Sequence, residues 1–499
     1  MLRVFAPLRE FIYVHLETVM LRNLSGISRR AFLKTTTCAI GAALAAQSRP
    51  AFAQAAGKKP NFIIIFTDDQ GYNDLGCFGA PQIKTPNIDR MAAEGMKFTD
   101  FYVAAPVCTP SRGALMTGCY PPRNSLGHVP RGDKGRLGGV FFPDSQAGIH
   151  PDEITLAELL KDEGYATGCV GKWHLGHLPE FLPTRNGFDS YFGIPYSNDM
   201  KPCPVLRGEE QIEEPAVQET LTERYTAESI NFIRENKDDP FFLYLAHSMP
   251  HIPLFASEKF TDKSDGGLYG DVIETIDWGV GQILDTLDEL EIADNTVILF
   301  TSDNGPWLSY GEHGGSATPL RAGKGTTYEG GMRVPCVMRW PERMPAGSVC
   351  SEVVSTIDVL PTFAKLAGGE TPTDRIIDGK DILPLMTGEP GAESPHEAFF
   401  YFFQHELHAV RSGPWKLRLE TTYLHEDIYR NGRKDLRNVP RREALYNLEL
   451  DIGEQKDVSR QHKDIVERLR GYADAIRADI GDTRTQVEGK NVRPVGLPT

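Results

Sequence analysis

Cys108 and Arg112 lie close together in a segment, Pro106 to Gly118, that could bind an anion. Pro106 and Pro110 break the chain, and the small and apolar residues that follow predict a helix ending at Gly118. Cys108 would lie at the helix entrance, where free backbone N–H groups and the positive end of the helix dipole favour an oxyanion. Arg112, one turn later, adds a planar set of donors suited to a tetrahedral anion. The alternative is a buried thiol beside a surface arginine.

Acidic and basic side chains also follow four predicted strands, each at the point where the strand ends. These strands are continuously apolar, which is typical of strands buried on both faces of a parallel sheet. Because ligand sites in such sheets lie beyond the carboxyl ends of the strands, we expect these side chains to converge. The strands are Asn61–Thr67, Tyr165–Val170, Phe241–Ala246 and Thr296–Thr301, and the side chains are Asp68, Asp69, Lys172, His174, His251, Asp303 and Asn304.

The pairs Asp68-Asp69 and Asp303-Asn304 offer only oxygen ligands. Two carboxylates ~4 Å apart repel each other by roughly 4 kcal/mol at an effective dielectric of about 20, so a cation or a proton must compensate. Oxygen ligands suit Ca²⁺ or Mg²⁺ and not Zn²⁺. The alternative for Asp68 and Asp69 is that they cap the loop that follows them. The similar pair on a second strand argues against that alternative.

Strands and helices alternate through most of the chain, which predicts an α/β fold with one large, mainly parallel sheet flanked by helices. With 499 residues, 40% of them hydrophobic, the chain is long enough for more than one domain. The predicted helices span 85–95, 106–118, 155–163, 271–290 and 356–368, and a further strand spans Met96–Val103.

The pattern of apolar segments in the sequence changes after about Asp358. Short apolar segments predict a smaller C-terminal antiparallel sheet, with a closing helix at Ile465–Ile480 and a loose tail after Asp482. We therefore predict a catalytic domain at 56–390 and a smaller C-terminal domain at 391–499.

The first 55 residues have the pattern of a twin-arginine signal peptide. Arg29 and Arg30 precede an apolar run, Cys38 to Ala46, that is too short to span a bilayer, and small residues suited to cleavage follow at 51–53. We therefore expect export to the periplasm or the exterior by the twin-arginine translocase, with no stable membrane insertion.

Net charge and cysteine spacing argue against a nucleic-acid-binding protein, a disulfide scaffold and a paired zinc site. The formal net charge of -15 argues against a nucleic-acid partner, although a local cationic cluster can still bind an anionic substrate. Of eight cysteines, Cys38 belongs to the signal. The spacing of those other than Cys38 and Cys108 fits neither a disulfide scaffold nor a paired zinc site, although they could pair in an oxidising compartment. They are Cys77, Cys119, Cys169, Cys203, Cys336 and Cys350.

The segment Cys108-Thr109-Pro110-Ser111-Arg112 resembles the signature of the type I sulfatases. Further blocks, at 68–71, 171–176, 301–305, 323–335, 445–448 and 451–454, are similar to the arylsulfatase A and N-acetylgalactosamine-6-sulfatase group. The resemblance implies an alkaline-phosphatase-like fold and a Cys108 that a formylglycine-generating enzyme oxidises to 3-oxoalanine (Cα-formylglycine). It also implies one divalent metal, usually Ca²⁺, held by Asp68, Asp69, Asp303 and Asn304 beside Cys108.

The resemblance further implies roles around the nucleophile. One hydroxyl of the hydrated aldehyde at position 108 would attack sulfur, while the metal and Arg112 restrain and polarise it. Asp303 would accept the proton of that hydroxyl. His174 would later take the proton of the second hydroxyl, which expels sulfate and restores the aldehyde.

Three more residues would act on the sulfate and on the departing alcohol. Lys172, Lys324 and His251 would surround the sulfate oxygens, where negative charge grows, and His251 or Lys324 would donate the proton to the alcohol. Taken singly, a lysine is more often a solvated surface charge and a histidine a hydrogen-bonded structural group.

We therefore predict a sulfatase that hydrolyses the sulfate ester of a small molecule or glycan, with a sugar as the expected alcohol. The alternatives are a phosphodiesterase or phosphonate hydrolase on the same scaffold, and a non-catalytic carbohydrate-binding relative. Specificity is expected in the C-terminal domain and in surface loops. The loops are 121–151, 196–215 and 307–319, and His177, His247 and His313 are candidate substrate contacts or loop hydrogen-bonding groups.

Overall fold

The structure is a computed structural model that describes residues 58–127, 129–131, 136–421 and 442–498. The predicted signal peptide at 1–55 lies outside these residues. From Lys58 onward the chain forms one compact unit. Within the described residues, no helix combines the length and the apolar character needed to cross a membrane.

The secondary structure alternates between strands and helices up to about residue 366. The strands are β1 (Asn61–Thr67), β2 (Met96–Phe98), β3 (Phe101–Tyr102), β4 (Val129–Arg131), β5 (Arg136–Gly138), β6 (Ala166–Gly171), β7 (Ser190–Gly193), β8 (Val205–Arg207), β9 (Glu210–Glu213), β10 (Phe241–Ala246), β11 (Thr296–Ser302), β12 (Cys336–Arg339), β13 (Ser348–Cys350), β14 (Val354–Ser355), β15 (Phe399–Phe403), β16 (Glu406–Ser412), β17 (Trp415–Arg418) and β18 (Ala444–Asn447). The α-helices are α1 (Pro86–Glu94), α2 (Cys108–Thr117), α3 (Leu156–Asp162), α4 (Leu221–Glu235), α5 (Gly267–Glu289), α6 (Glu329–Met332), α7 (Val359–Leu366), α8 (Leu383–Met386) and α9 (Lys463–Ile480).

Ten strands form one mixed sheet in the order β13-β2-β12-β11-β1-β10-β6-β7-β8-β9. The central strands β11, β1, β10, β6 and β7 all run parallel to one another. Towards both edges the pairing becomes antiparallel, except that β13 runs parallel to β2. The predicted α/β fold with a large, mainly parallel sheet is therefore confirmed.

The central strands end at the same level because their register is continuous. Phe66 near the end of β1 pairs with Ala246 of β10 on one side and with Thr301 of β11 on the other. Every residue of β1 is buried. Phe62 packs into the core on one side of the sheet and Ile63 into the core on the other. This is the two-sided burial expected of a continuously apolar strand.

One predicted strand is wrong in its extent. The segment Met96–Val103 forms two strands, of which β2 joins the large sheet and β3 pairs with β14. Asp100 lies between them, and its buried carboxylate binds Arg333 at 2.6 Å and Arg411 at 2.7 Å. The break in the strand thus coincides with a buried acidic side chain that has two cationic partners, as a buried charge requires.

The C-terminal strands β15, β16, β17 and β18 form a second, antiparallel sheet, and α9 packs against it. The predicted smaller sheet with its closing helix is confirmed. The two sheets share one hydrophobic core, which contains Phe66 of the large sheet and Leu417 of the small one. The domain boundary predicted at residue 390 falls between the sheets and stays a prediction.

The cysteines at positions 77, 119, 169, 203, 336 and 350 are free thiols in the structure. The strands of Cys336 and Cys350 lie on opposite sides of β2, where both residues pair with Phe98. Two strand spacings separate them by roughly 9 to 10 Å. This distance exceeds the span of a disulfide.

The prediction of a loose tail after Asp482 is wrong. The backbone N–H of Arg493 donates to the carbonyl of Arg123 at 2.6 Å, and that of Gly496 donates to Gly148 at 2.9 Å. The Arg493 guanidinium also binds the Glu153 carboxylate at 2.7 and 2.9 Å. A buried acid thus holds the tail, an interaction over more than 300 residues that local composition does not reveal.

Replacing Arg493 with alanine should lower the free energy of unfolding by about 1–3 kcal/mol, because the Glu153 carboxylate, 3% exposed, would lose its guanidinium partner. Urea denaturation measures this as a lower midpoint at constant slope. The control is Arg470→Ala, whose side chain is 47% exposed and whose ion pairs contribute about 0–1 kcal/mol. Equal losses for the two variants would contradict the proposed anchoring.

His396, just before β15, should make stability depend on pH. Its Nε2 lies 2.7 Å from the fully buried Asp358 carboxylate. Burial alone lowers the pKa of His396, but Asp358 raises it above its ordinary value. This contribution to stability is complete below about pH 6.5, the value in the unfolded chain, and is lost as pH rises through the folded pKa. Urea denaturation at several pH values should therefore show that the free energy of unfolding falls more steeply towards alkaline pH in the wild type than in His396→Gln. Parallel pH curves for the two proteins would contradict this role of His396.

Candidate active site

Cys108 is the first residue of α2 and is 2% exposed. Val107 before it is extended and provides no side-chain cap, so the free N–H groups of the first turn remain available. Gly118 ends the helix in the left-handed conformation, with its N–H donating to Ala114. The Cys108 thiol lies 3.4 Å from the Asp68 carboxylate and 3.6 Å from the Lys324 ammonium. The predicted helix entrance is therefore beside acidic and basic groups.

The acids at the ends of β1 and β11 lie side by side. Asp69 has a φ of 67°, and its N–H donates to the Asp303 carboxylate at 3.1 Å. The Asn304 side-chain amide in turn donates to the Asp69 carboxylate at 2.7 Å. Neighbouring parallel strands of equal length bring these residues together although more than 230 positions separate them in the sequence.

Arg112 connects the carboxyl groups of Asp68 and Asp303 with the end of β6. Its guanidinium donates to Asp303 at 2.9 and 3.1 Å and to the carbonyl of Lys172 at 3.0 Å. It also lies 3.6 Å from the Asp68 carboxylate and is fully buried. One side chain thus fixes the relative positions of α2, β11 and β6.

Two lysines complete the charge pattern. The Lys172 ammonium binds the Asp68 carboxylate and donates to the Ser197 hydroxyl at 3.2 Å. The Lys324 ammonium donates to Asp69 at 2.7 Å. With Arg112 and Asp303, the site contains three carboxyl groups and three cations, all of them at most 8% exposed. Buried charges are stable only when paired in this way.

The same environment shifts the pKa values of Asp68, Asp303 and the Cys108 thiol. Burial alone raises the pKa of Asp68, but Lys172 and the other cations lower it well below its usual range. Burial and the neighbouring Asp68 raise the pKa of Asp303 to about 7. Burial and Asp68 also raise the pKa of the Cys108 thiol well above its ordinary value. Cys108 is therefore a poor nucleophile as encoded, since the thiolate is the reactive form.

Two histidines stand at this edge of the sheet as neutral rings. His174 Nε2 lies 2.9 Å from the carbonyl of Phe141, so this nitrogen carries the hydrogen and Nδ1, buried without a hydrogen-bond partner, has the free lone pair. Burial and then Lys172 lower the pKa of His174 well below its usual value. His251 Nε2 lies 3.7 Å from Asp69, and burial and then Lys324 lower its pKa.

Two residues at the site, Ser197 and Trp307, belong to no motif that marks them in the sequence. Ser197 binds Lys172, and the Trp307 ring lies 4.3 Å from the Lys324 ammonium and 5.5 Å from the His251 ring. Both belong to loops that are expected to determine substrate specificity, 196–215 and 307–319. Their position in these loops was the only indication in the sequence of a role at the site.

The three histidines considered as substrate contacts differ in their surroundings. His247 is buried near the Tyr225 ring, and burial lowers its pKa to about 3. His177 packs edge-on against Tyr196, and His313 lies on an exposed turn. The ring contacts of His247 and His177 are with Tyr225 and Tyr196, which are not members of the charged cluster.

The cluster has a donor set that fits a metal ion. One ligand atom each from Asp68, Asp69, Cys108 and His251 lies within 4.8 Å of the others. The Asn304 Oδ1 oxygen is buried without a hydrogen-bond partner, as expected of an unused ligand atom. Asp303, also predicted as a ligand, binds Arg112 and the N–H of Asp69 here.

The family of the chain follows from comparison with known proteins. A family model described as Sulfatase matches residues 60–369. The chain belongs to the sulfatase family. A second model, described as N-sulphoglucosamine sulphohydrolase, C-terminal, matches residues 322–471. The protein is therefore a sulfuric ester hydrolase, and the predicted recognition and enzyme class are confirmed.

Several sulfatases are similar to this one over most of its length. Human steryl-sulfatase is 38% identical over 72% of this chain and 75% of its own. Dog N-acetylgalactosamine-6-sulfatase is 42% identical over 76% of this chain and 75% of its own. Human arylsulfatase A is 39% identical over 74% of this chain and 76% of its own.

Several solved structures share the fold. One, from work on glycosaminoglycan metabolism by Bacteroides thetaiotaomicron, has a TM-score of 0.74 and 29% identity, and covers 85% of this chain and 100% of that one. Another, in complex with a neocarrahexaose, has a TM-score of 0.70 and 33% identity, and covers 84% of this chain and 92% of that one. The alkaline-phosphatase-like fold implied by the sequence resemblance is thereby confirmed.

A divalent cation should stabilise this enzyme, because it would bind the folded cluster and not the unfolded chain. At 100 times its dissociation constant it would add about 2.7 kcal/mol to the free energy of unfolding. Thermal denaturation with and without added Ca²⁺ or Mg²⁺ measures the gain. We expect Asp69→Asn to lose most of it and Asp285→Asn, an exposed acid of α5, to retain it. An unchanged gain in Asp69→Asn would place the ion elsewhere.

Proposed function

We propose that this sulfatase removes sulfate from a carbohydrate, through a formylglycine made from Cys108. The position of the Cys108 side chain supports this most directly, since it lies at a helix entrance between Asp68 and Lys324 in a buried, charge-balanced cluster. Similarity to N-acetylgalactosamine-6-sulfatase and to the structure in complex with a neocarrahexaose supports a carbohydrate as the alcohol. We expect the specificity of the sugar to depend on the loops 121–151, 196–215 and 307–319.

The surroundings of Cys108 favour conversion to an aldehyde over use of the thiol. Its raised pKa makes a thiolate scarce, and a simple sulfated side chain would be a stable ester that needs an external water. The hydrated aldehyde instead has two hydroxyl groups. One attacks sulfur, and deprotonation of the other expels sulfate and regenerates the aldehyde.

Residues that surround position 108 would perform the proton transfers. We assign Asp303 as the acceptor for the attacking hydroxyl and His174 as the acceptor for the second one, with Arg112 fixing Asp303 in place. Asp68, Asp69 and Asn304 would hold the divalent cation. We expect Ca²⁺, with Mg²⁺ as the alternative, and when bound it would polarise the sulfate oxygens.

The leaving alcohol would face Lys324 and His251. Trp307 contacts both side chains, and both lie close to Cys108. Lys172 and Lys324 would bind the sulfate oxygens. The proton that the departing alcohol requires would come from Lys324, or from His251 once that neutral ring has itself gained a proton.

We also propose that residues 1–55 direct export through the twin-arginine translocase to the periplasm or beyond. This translocase moves folded proteins, whereas the formylglycine-generating enzyme would need access to an unfolded Cys108 segment. Because Cys108 is buried in the folded chain, its conversion should precede export.

The proposal can be tested at Cys108 itself. Mass spectrometry of its peptide from the exported protein should find the aldehyde in place of the thiol. We expect Cys108→Ala to lower kcat on 4-nitrophenyl sulfate by more than about 1,000-fold, as removal of a nucleophile does. Cys77→Ala, outside the site, should retain activity. An unmodified thiol with no hydrolysis would indicate a non-catalytic carbohydrate-binding protein, and faster hydrolysis of bis(4-nitrophenyl) phosphate would indicate a phosphodiesterase.

A further inference from the structure

Lys324 lies on a segment, residues 323–329, that bridges two walls of the active site. The backbone N–H of Lys324 donates to the carbonyl of Pro306 at 2.9 Å, which follows β11. The N–H of Gly325 donates to the carbonyl of Pro106 at 2.8 Å, which precedes α2. The Lys324 segment therefore contacts the acid-bearing side and the Cys108-bearing side of the site.

The other end of the Lys324 segment is bound by the small sheet. Lys416 of β17 is fully buried, and its ammonium has three acceptors at hydrogen-bonding distance. They are the carbonyl of Thr327 at 3.0 Å, the carboxylate of Glu329 at 2.8 Å and the carboxylate of Glu454 at 2.9 Å. Glu454 in turn accepts from the N–H of Glu329 at 2.8 Å. The ammonium thus donates hydrogen bonds to Thr327 and Glu329 and forms an ion pair with Glu454.

Groups around Lys416 reinforce this connection. The Glu329 carboxylate also accepts from the hydroxyls of Tyr401 at 3.0 Å and Tyr102 at 2.5 Å. Burial alone raises the pKa of Glu329, but Lys416 and nearby arginines lower it to about 2, so it remains ionised. A buried ion pair is costly to break on one side only, because the remaining charge stays buried without its partner. The position of the Lys324 segment is therefore strongly restrained from the small sheet.

We propose that Lys416 is a positioning residue for catalysis: through Thr327 and Glu329 it holds the Lys324 ammonium where the leaving alcohol departs. The small sheet thereby acts on the chemical step, not only on stability. The inference rests on the proposed role of Lys324. A displacement of ~1 Å in a catalytic group can reduce a rate by about 100-fold.

Leaving-group dependence separates this role from a purely structural one. A leaving group of low pKa, such as 4-nitrophenolate, needs little protonation, whereas phenolate from phenyl sulfate needs more. We expect Lys416→Met to lower kcat for phenyl sulfate about 10-fold more than for 4-nitrophenyl sulfate, with rates normalised to the aldehyde content measured by mass spectrometry. Equal losses on both substrates would overturn the proposal. Since Lys416→Met removes the lysine partner of two buried carboxylates, Glu454→Gln serves as a milder variant with the same expected direction.

Two further variants complete the experiment. Leu417→Ala removes a fully buried neighbour on the opposite face of the same strand, so it should lower stability without changing the ratio of the two rates. Lys324→Ala should itself increase leaving-group dependence, and adding Lys416→Met to it should then have little further effect on that ratio. If Lys324→Ala leaves the ratio unchanged, the proposed role of Lys324 fails. If Lys324→Ala changes it but neither Lys416→Met nor Glu454→Gln does, the inference about Lys416 fails.

Discussion

The pairing of three buried carboxyl groups with three cations is the constraint on which the rest of this structure depends. Asp68 and Asp69 are adjacent, and Asp303 follows a neighbouring strand, so without compensation they would repel one another by several kcal/mol. Arg112, Lys172 and Lys324 provide that compensation from three different parts of the chain. The folded site therefore requires the helix, the sheet and the 323–329 segment to be assembled together.

This charge balance also determines which chemistry is available. A site that lowers the pKa of Asp68 and raises that of the Cys108 thiol does not favour a thiolate. It does provide cations and helix N–H groups where a sulfate would lie, and a neutral His174 with a free lone pair. The physical character of the cluster thus agrees with a hydroxyl nucleophile that acts on an anionic ester.

The small sheet is part of the same assembly. Its apolar face belongs to the core that includes β1, and Lys416 reaches the segment that carries Lys324. The tail after Asp482 extends this connection, because Arg493 binds Glu153 of the large part. A core that the two sheets share can hold residues from both sheets with the precision that catalysis needs.

The sequence by itself predicted the central strands, several of the helices and the candidate site residues at the strand ends. Apolar runs such as Asn61–Thr67 could become only buried strands in this context, and the parallel arrangement requires their ends to meet. Only the tertiary structure decided what lies against those ends. Lys416 near Glu329, Trp307 over Lys324, the break at Asp100 and the ordered tail all depend on contacts between residues distant in the chain. Periodicity and turn signals report local conformation, whereas such contacts follow from strand order and packing, which local signals do not encode.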